Sequence, residues 1–327
     1  MRPVCEVFDA AGVAAARLVV VIPACNEAER IGACLDALAS QEERGGCAVH
    51  VCVNNTDDGT AEIVRDRARR HGLALVLSEI QLPRGGVGRA RRFGHLLAMR
   101  FSPKASAFLS TDADCQAEPG WLGAMRAALE AHPAVLGRIE GLDDLPPELL
   151  EKVRHGGQVE DDYMRLSMEF ARLVSEDEAT SIGLNTAGGA NLGICREVYR
   201  AVGGFRALTS REDRDLIDRV MAAGYRPARA EEAVMRASMR SEGRAPGGMA
   251  DKIAERLSGG AVSLDTALAP IGAMLARVSC GGPHPGDLSL ARAAADLPIL
   301  AAHVDQLRHR SCPEERRRYL RSAGNRD

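Results

Sequence analysis

The sequence predicts an α/β protein with a doubly wound, mostly parallel sheet flanked by helices, and three observations predict it. Short β-branched runs end in polar turns, each run is followed by apolar residues at helical spacing, and the alternation repeats from Arg17 to Ala131. Arg17 to Ile22 (RLVVVI) is apolar after its first residue and stops at Pro23, as a strand buried on both faces does. Ala28, Ile31, Cys34, Leu35 and Leu38 then mark a helix packed on that strand. Val49 to Val53 is the second strand; Asp57 or Asp58 caps a helix over Ala61 to Arg70, and Gly72 ends it. A third unit pairs Leu73 to Leu77 with Gly88 to Met99, and a fourth pairs Ala107 to Ser110 with Pro119 to Ala131.

Beyond Pro133 the rhythm changes. Pro146 and Pro147 precede two charged helical stretches, Glu148 to Arg154 and Val159 to Val174, which read as a helical insert over about residues 140–185. An apolar return, Ala190 to Cys195, leads into a helix over Arg196 to Val202, a Gly203-Gly204 turn and a helix through Asp213 to Ala223. From Gly247 the pattern is helical, with a break at Gly281 to Pro285 and a basic end at Glu314 to Arg321. The expected division is an α/β domain over 1–246 and a helical C-terminal extension over 247–327 packed on it.

Composition narrows the function classes. With 46% hydrophobic and 27% charged residues among 327, the chain has the composition of an ordinary globular protein. A formal charge of −3 gives no general attraction to nucleic acid, which is not an expected partner. The apolar stretch Val13 to Cys25 is too short to span a bilayer and lacks a basic segment before it, so neither a membrane span nor a signal peptide is expected. Nine cysteines without a CxxC pair fit reduced thiols, hence a cytoplasmic protein.

The chemistry begins where the fourth strand ends. Ser110-Thr-Asp-Ala-Asp114 puts two carboxylates, Asp112 and Asp114, with Ala113 between them, at the carboxyl edge of an α/β sheet, where ligands bind. Two such carboxylates suit a hard divalent cation shared with phosphate oxygens. The same pair also suits strand termination and capping of the next helix. Between the third strand and its helix, Leu82 to Arg92 is glycine-rich and carries Arg84, Arg89, Arg91 and Arg92. Guanidinium groups and helix N-termini both receive phosphate; Arg84 and Arg89 are the expected contacts to a phosphate-bearing ligand, and Arg91 and Arg92 read as surface or structural.

Five motifs occur in order: Val20 to Ile31 (VVIPACNEAERI), Val51 to Glu62 (VCVNNTDDGTAE), the STDAD stretch, Gly188 to Phe205 (GGANLGICREVYRAVGGF), and Glu212 to Leu216 (EDRDL). Together they resemble the family-2 glycosyltransferases of GT-A fold over about Leu18 to Met239. The resemblance implies that Pro23, Ala24, Asn26 and Glu27 form the nucleotide-facing turn. Asn54 and Asn55 stand where the family often has an Asp pair, which leaves the nucleotide open, and Asp58 matches an Asp before the second helix that serves equally as a cap. It further implies that Asp112 faces the ribose or donor sugar, that Asp114 is the main ligand of Mg²⁺ or Mn²⁺, and that Asp213, with Glu212 beside it, is the base that deprotonates the acceptor hydroxyl. First-turn helix charges are the alternative for that pair. Gly188, Gly189 and Asn191 are implied at the acceptor, with Trp121 beneath it or, equally, in the core.

The implied reaction is inverting transfer of one sugar from a UDP- or GDP-sugar to a hydroxyl acceptor. The processive members' QxxRW motif and membrane spans are missing, so a soluble, single-addition enzyme is expected. Arg240 and Arg244 lie where the family places a donor-closing loop and are candidate pyrophosphate contacts; that loop holds no histidine for a third metal ligand. Glu160, Asp161, Asp162 and Tyr163 of the insert are candidate walls of the acceptor site. Two other readings stand beside this one. A sugar nucleotidyltransferase would use Arg84 to Arg89 as a glycine-rich nucleotide turn, and an inactive nucleotide-sugar-binding protein would explain the paired asparagines.

Overall fold

The computed structural model describes residues 3–83, 86–175, 182, 184–243, 248–258, 264–280 and 288–323. Its strands are β1 (Val4–Phe8), β2 (Leu18–Ala24), β3 (Cys47–Asn54), β4 (Leu75–Ile80), β5 (Ala107–Ser110), β6 (Cys115–Ala117), β7 (Ala134–Gly141), β8 (Leu192–Cys195) and β9 (Ala228–Ala237). The helices are α1 (Ala10–Ala15), α2 (Ile31–Ala39), α3 (Thr60–His71), α4 (Gly86–Phe101), α5 (Trp121–Ala131), α6 (Pro147–Leu173), α7 (Arg196–Ala201), α8 (Glu212–Ala222), α9 (Met249–Ser258), α10 (Ile271–Cys280), α11 (Leu290–Arg308) and α12 (Pro313–Ala323).

Backbone proximity divides the chain into two units, Met1–Asp144 with Ala187–Gly248, and Leu145–Thr186 with Met249–Asp327. The first holds one sheet of order β1-β4-β3-β2-β5-β8-β7-β9-β6. Strands β4, β3, β2 and β5 run parallel, as their unbroken apolar runs predict. Beyond β5 the sheet is mixed: β8 is antiparallel to both β5 and β7, β9 is parallel to β7, and β6 closes the far edge antiparallel to β9. The near edge is β1, antiparallel to β4.

Pro23 does not end β2. The ladder to β5 stops at Val21–Ser110, while that to β3 continues to Ala24–Val53, so β2 has become a one-sided edge where the proline falls and a missing N–H is tolerated there. The four first-half strands therefore finish together, and their carboxyl ends present the loops at residues 25–30, 55–59 and 111–114. Beneath them Val20, Ile22, Leu35, Val51, Leu77, Leu109, Trp121 and Met125 form a continuous buried core.

The second unit is helical. Tyr163, Leu166, Phe170 and Leu173 of α6 share a core with Ile271, Leu275, Leu300, Val304, Leu307 and Leu320. The segment expected as an insert and the segment expected as a C-terminal extension thus form one body. The two helical stretches anticipated over 148–174 are one helix, α6, running through Gly156 and Gly157. Tyr163 is fully buried and donates its hydroxyl to the Ala269 carbonyl at 2.8 Å, and Glu160 accepts from the Asp265 N–H at 2.7 Å and pairs with Arg256. Both are internal braces of this unit rather than acceptor walls. The expected break at Gly281 to Pro285 lies outside the described residues.

Candidate active site

The turn after β2 is stapled to the turn after β3 before any ligand is considered. Asn26 takes a left-handed backbone (φ 53°), its Oδ1 accepts from the Asp57 N–H at 3.0 Å, and its own N–H donates to Thr56 Oγ1 at 3.3 Å. Glu27 N–H donates to Thr60 Oγ1 at 2.9 Å. Asp58 accepts from Ala28 N–H at 3.1 Å, from Thr60 N–H at 2.9 Å and from the Thr60 hydroxyl. It acts as a clamp between the turns and ahead of α3. Asn55 has both amide atoms on one partner: its Nδ2 donates to the Leu82 carbonyl at 2.9 Å and its Oδ1 accepts from the Leu82 N–H at 3.0 Å. Asn54 ends β3 half-buried opposite Ile80. Pro23 and Ala24 are buried strand residues, so only their backbone can face a ligand.

At the end of β5, Arg91 of α4 gathers the other motifs. Its side chain is only 3% exposed. The guanidinium donates to Asp112 Oδ1 at 2.5 Å, Ser110 Oγ at 2.6 Å, the Gly189 carbonyl at 2.8 Å and Glu212 Oε1 at 2.8 Å. Burial disfavours its charge, but Asp112, Glu212 and Asp213 outweigh burial and hold the guanidinium above its ordinary value. Burial likewise raises the Glu212 carboxyl, against the pull of Arg91. Gly189 must be glycine, because a Cβ there would overlap the Arg91 guanidinium. Its N–H donates to Asp213 Oδ2 at 2.7 Å, and the Arg214 N–H donates to Oδ1 at 2.7 Å. One network therefore joins the DxD, the Gly188-Gly189 turn and the start of α8.

Below it, an aromatic cage holds α4 still. His95, one turn on, donates Nδ1–H to the Arg91 carbonyl at 2.8 Å, stacks on Tyr199 with ring centroids 4.9 Å apart and meets Phe108 and Phe205 edge-on. Of the two roles expected for Arg91, surface or structural, the structure shows the structural one, at the centre of the site. The signal for its inward position is helical: Gly88, Arg91, His95 and Ala98 recur at the spacing of a buried stripe, so the charge faces inward.

The second carboxylate of the DxD meets a different arginine. Arg240, just past β9, forms two hydrogen bonds to Glu27, at 2.6 and 2.9 Å, and lies 2.8 Å from Asp114 Oδ2. Burial, helped by the neighbouring Asp112 charge, raises the Asp114 carboxyl to about 6 against the pull of Arg240. A cleft of about 260 Å³ opens beside Asp114, lined by Glu29, Arg30, Ala33, Gln116, Leu142 and Asp144.

As cation ligands, Asp112 and Asp114 each bring an oxygen within 4.8 Å of the other's and of Cys115 Sγ. Two hard carboxylate oxygens at this spacing fit Mg²⁺ or Mn²⁺. Cys115 does not join them, since burial first and the two carboxylates second hold its thiol well above the ordinary value, and so protonated.

Other expected site residues fall elsewhere. Trp121 is fully buried and donates Nε1–H to Asn191 Oδ1 at 2.9 Å, while Asn191 Nδ2 donates to the Arg138 and Ala233 carbonyls, both at 2.8 Å. Their polar atoms are committed to each other and to the sheet, so both belong to the core rather than to an acceptor face. Arg89 sits half-buried in the first turn of α4, its Nε without a hydrogen-bond partner among the described residues. Arg84 and Arg244 lie outside the described residues. The glycine-rich turn owes Gly88 to packing: a Cβ there would come within 2.6–2.9 Å of the backbone of Arg206 and Leu208. This close approach accounts for that glycine without a nucleotide.

Residues 19–167 match the model of Glycosyl transferase family 2. Over those residues the chain carries a family-2 glycosyltransferase domain. Solved structures with the same fold include the mannosyltransferase PcManGT from Pyrobaculum calidifontis in complex with GDP-Man and Mn²⁺ (21% identity, TM-score 0.52, covering 94% of this chain and 79% of that one). Another is S. aureus TarS 1-349 in complex with UDP-GlcNAc (18% identity, TM-score 0.50, covering 87% and 71%). No curated protein matches the chain. Among the described residues, no helix is long and apolar enough to cross a membrane.

Proposed function

We propose that this glycosyltransferase moves one sugar from a UDP- or GDP-sugar to an acceptor hydroxyl with inversion at the anomeric carbon. The observation that carries the reading is the Arg91 network: the carboxylate of the DxD and the Glu212-Asp213 pair are held to one guanidinium and one glycine turn, so donor and base share a rigid frame. Asp213, held by the Gly189 and Arg214 N–H groups at the start of α8, accepts the acceptor's proton as its oxygen attacks. Glu212 neutralises Arg91 and fixes the turn. Asp112 and Asp114 would hold Mg²⁺ or Mn²⁺, which supplies Lewis-acid stabilisation of the diphosphate leaving group when bound. Glu27 and the backbone of residues 23–26 face the nucleotide, and Arg89, half-buried in the first turn of α4, is a phosphate contact through its guanidinium end.

The UDP-sugar and GDP-sugar complexes of the two structural relatives support both donor classes. In this reading residues 1–246, apart from the helical segment, form the transferase domain, and the described cysteines, all free thiols, fit the cytoplasm. The deciding experiment is thermal shift of wild type and Asp114→Ala with UDP, GDP and their sugars, with and without Mn²⁺. Stabilisation that needs both the metal and Asp114 supports the reading. A shift with no nucleotide at all removes it.

A further inference from the structure

We propose that Arg240 is a built-in competitor of the divalent cation, so that Asp114 becomes available to metal only when the diphosphate of the donor draws Arg240 away. The inference rests on the metal reading above and deepens it.

Each carboxylate of the DxD already has a cationic partner, but the two partners differ. Arg91 is buried, makes four hydrogen bonds and rides on a helix caged by aromatic rings, so it cannot leave Asp112 without dismantling the site. Arg240 is held by a clamp on its backbone and, at the end of its side chain, by Glu27 and Asp114. Ser238 Oγ donates to Asp144 Oδ2 at 2.5 Å, Met239 N–H donates to Asp144 Oδ1 at 2.8 Å, and Arg240 N–H donates to Ser238 Oγ at 3.3 Å. Beyond that clamp its side-chain ion-pair partners among the described residues are Glu27 and Asp114. A guanidinium on a rotatable stem, facing two carboxylates at the mouth of the nucleotide turn, occupies the electrostatic place of a cation.

Guanidinium and divalent ion cannot both sit on the same Asp114 oxygen at contact distance. A diphosphate is a better partner for the arginine than one carboxylate, because it offers bidentate oxygens of higher charge. Donor arrival thus frees Asp114, which with Asp112 would hold the cation. Metal and nucleotide binding are then coupled more strongly than by bridging alone, and by reciprocity each strengthens the other.

The test is titration of the full chain with Mn²⁺ alone, read as loss of the free-ion electron paramagnetic resonance signal, and again with saturating UDP or GDP. Wild type, Arg240→Met, Arg236→Met and Asp114→Asn are compared. Arg236 lies four residues earlier and pairs with Asp143 and Glu118, so its removal takes the same charge from the region without touching Asp114. Arg240→Met is expected to bind Mn²⁺ about tenfold more tightly than wild type without nucleotide, a change of about 1.4 kcal/mol. Its nucleotide-induced tightening should be correspondingly smaller, and Arg236→Met should match wild type. Equal Mn²⁺ affinity in Arg240→Met and wild type, with Asp114→Asn still abolishing binding, overturns the inference and leaves the metal reading standing. The same gain in Arg236→Met overturns it too, since general charge then explains the effect. Absence of Mn²⁺ binding in every protein, with or without nucleotide, overturns inference and metal reading together.

Discussion

Replacing Arg91 by methionine keeps an apolar stem in place of the arginine methylenes but strands Glu212, whose side chain is 3% exposed and whose ionic partner is Arg91. Breaking one side of a buried ion pair costs about 3–5 kcal/mol, chiefly because the other charge is left uncompensated. That is a large part of the stability of a typical domain. The loss can be read selectively, because Trp121 is the only tryptophan and lies fully buried in the sheet-containing unit, so its fluorescence in a urea titration follows that unit and not the helical one. The sign of the pH dependence follows from Glu212. Its folded pKa is already raised by burial, and without Arg91 it rises further. A carboxyl whose folded value stands above its unfolded one favours folding at low pH and loses that benefit as pH rises through the folded value. The deficit of Arg91→Met should therefore widen from acid to neutral pH, and Arg91→Met/Glu212→Gln should recover part of it. A loss below about 1 kcal/mol, or a double variant no better than the single one, would refute the claim that buried charge compensation holds this site together.

Asp213→Asn should leave donor-dependent thermal shift intact while kcat falls by about 10²- to 10⁴-fold, measured by single-turnover transfer once an acceptor is in hand. Asn191→Ala orphans the buried Trp121 N–H and should lower stability by about 1–3 kcal/mol on that account alone, with donor affinity unchanged; weakened donor binding at full stability would return Asn191 to the ligand site. His50 and His95 are held at about 3 by burial, below the ordinary 6.5, so each favours the folded state above pH 6.5 and loses that contribution as pH falls towards 3. Between pH 6.5 and 5 the loss should be about 1.6 kcal/mol per histidine, and His95→Phe should flatten the acid side of the stability curve.

The parallel half of the sheet was legible because its strands are buried on both faces and announce themselves as unbroken apolar runs. Strands β1, β7 and β9 were not: β1 is a five-residue edge with Val4 63% exposed, and β7 and β9 mix glycine, arginine and glutamate around a bulge at Gly137/Arg138. Their pairing comes from partners distant in sequence, which no local pattern encodes. The motif carboxylates were legible for the opposite reason, since charged residues that stop an apolar strand have little to do but cap or bind. Their partners were not.

By itself, then, the sequence determined the alternating frame, the strand end on which Asp112 and Asp114 sit, and the order of the motifs that resemble the glycosyltransferases, because these are short-range patterns of burial and chain reversal. Only the tertiary structure decided that Arg91 turns inward to bind Asp112 to Glu212, that Arg240 closes on Glu27 and Asp114, and that Trp121 and Asn191 satisfy one another in the core. A side chain's role is set by what faces it across the fold, and those partners lie between 21 and 213 residues away along the chain.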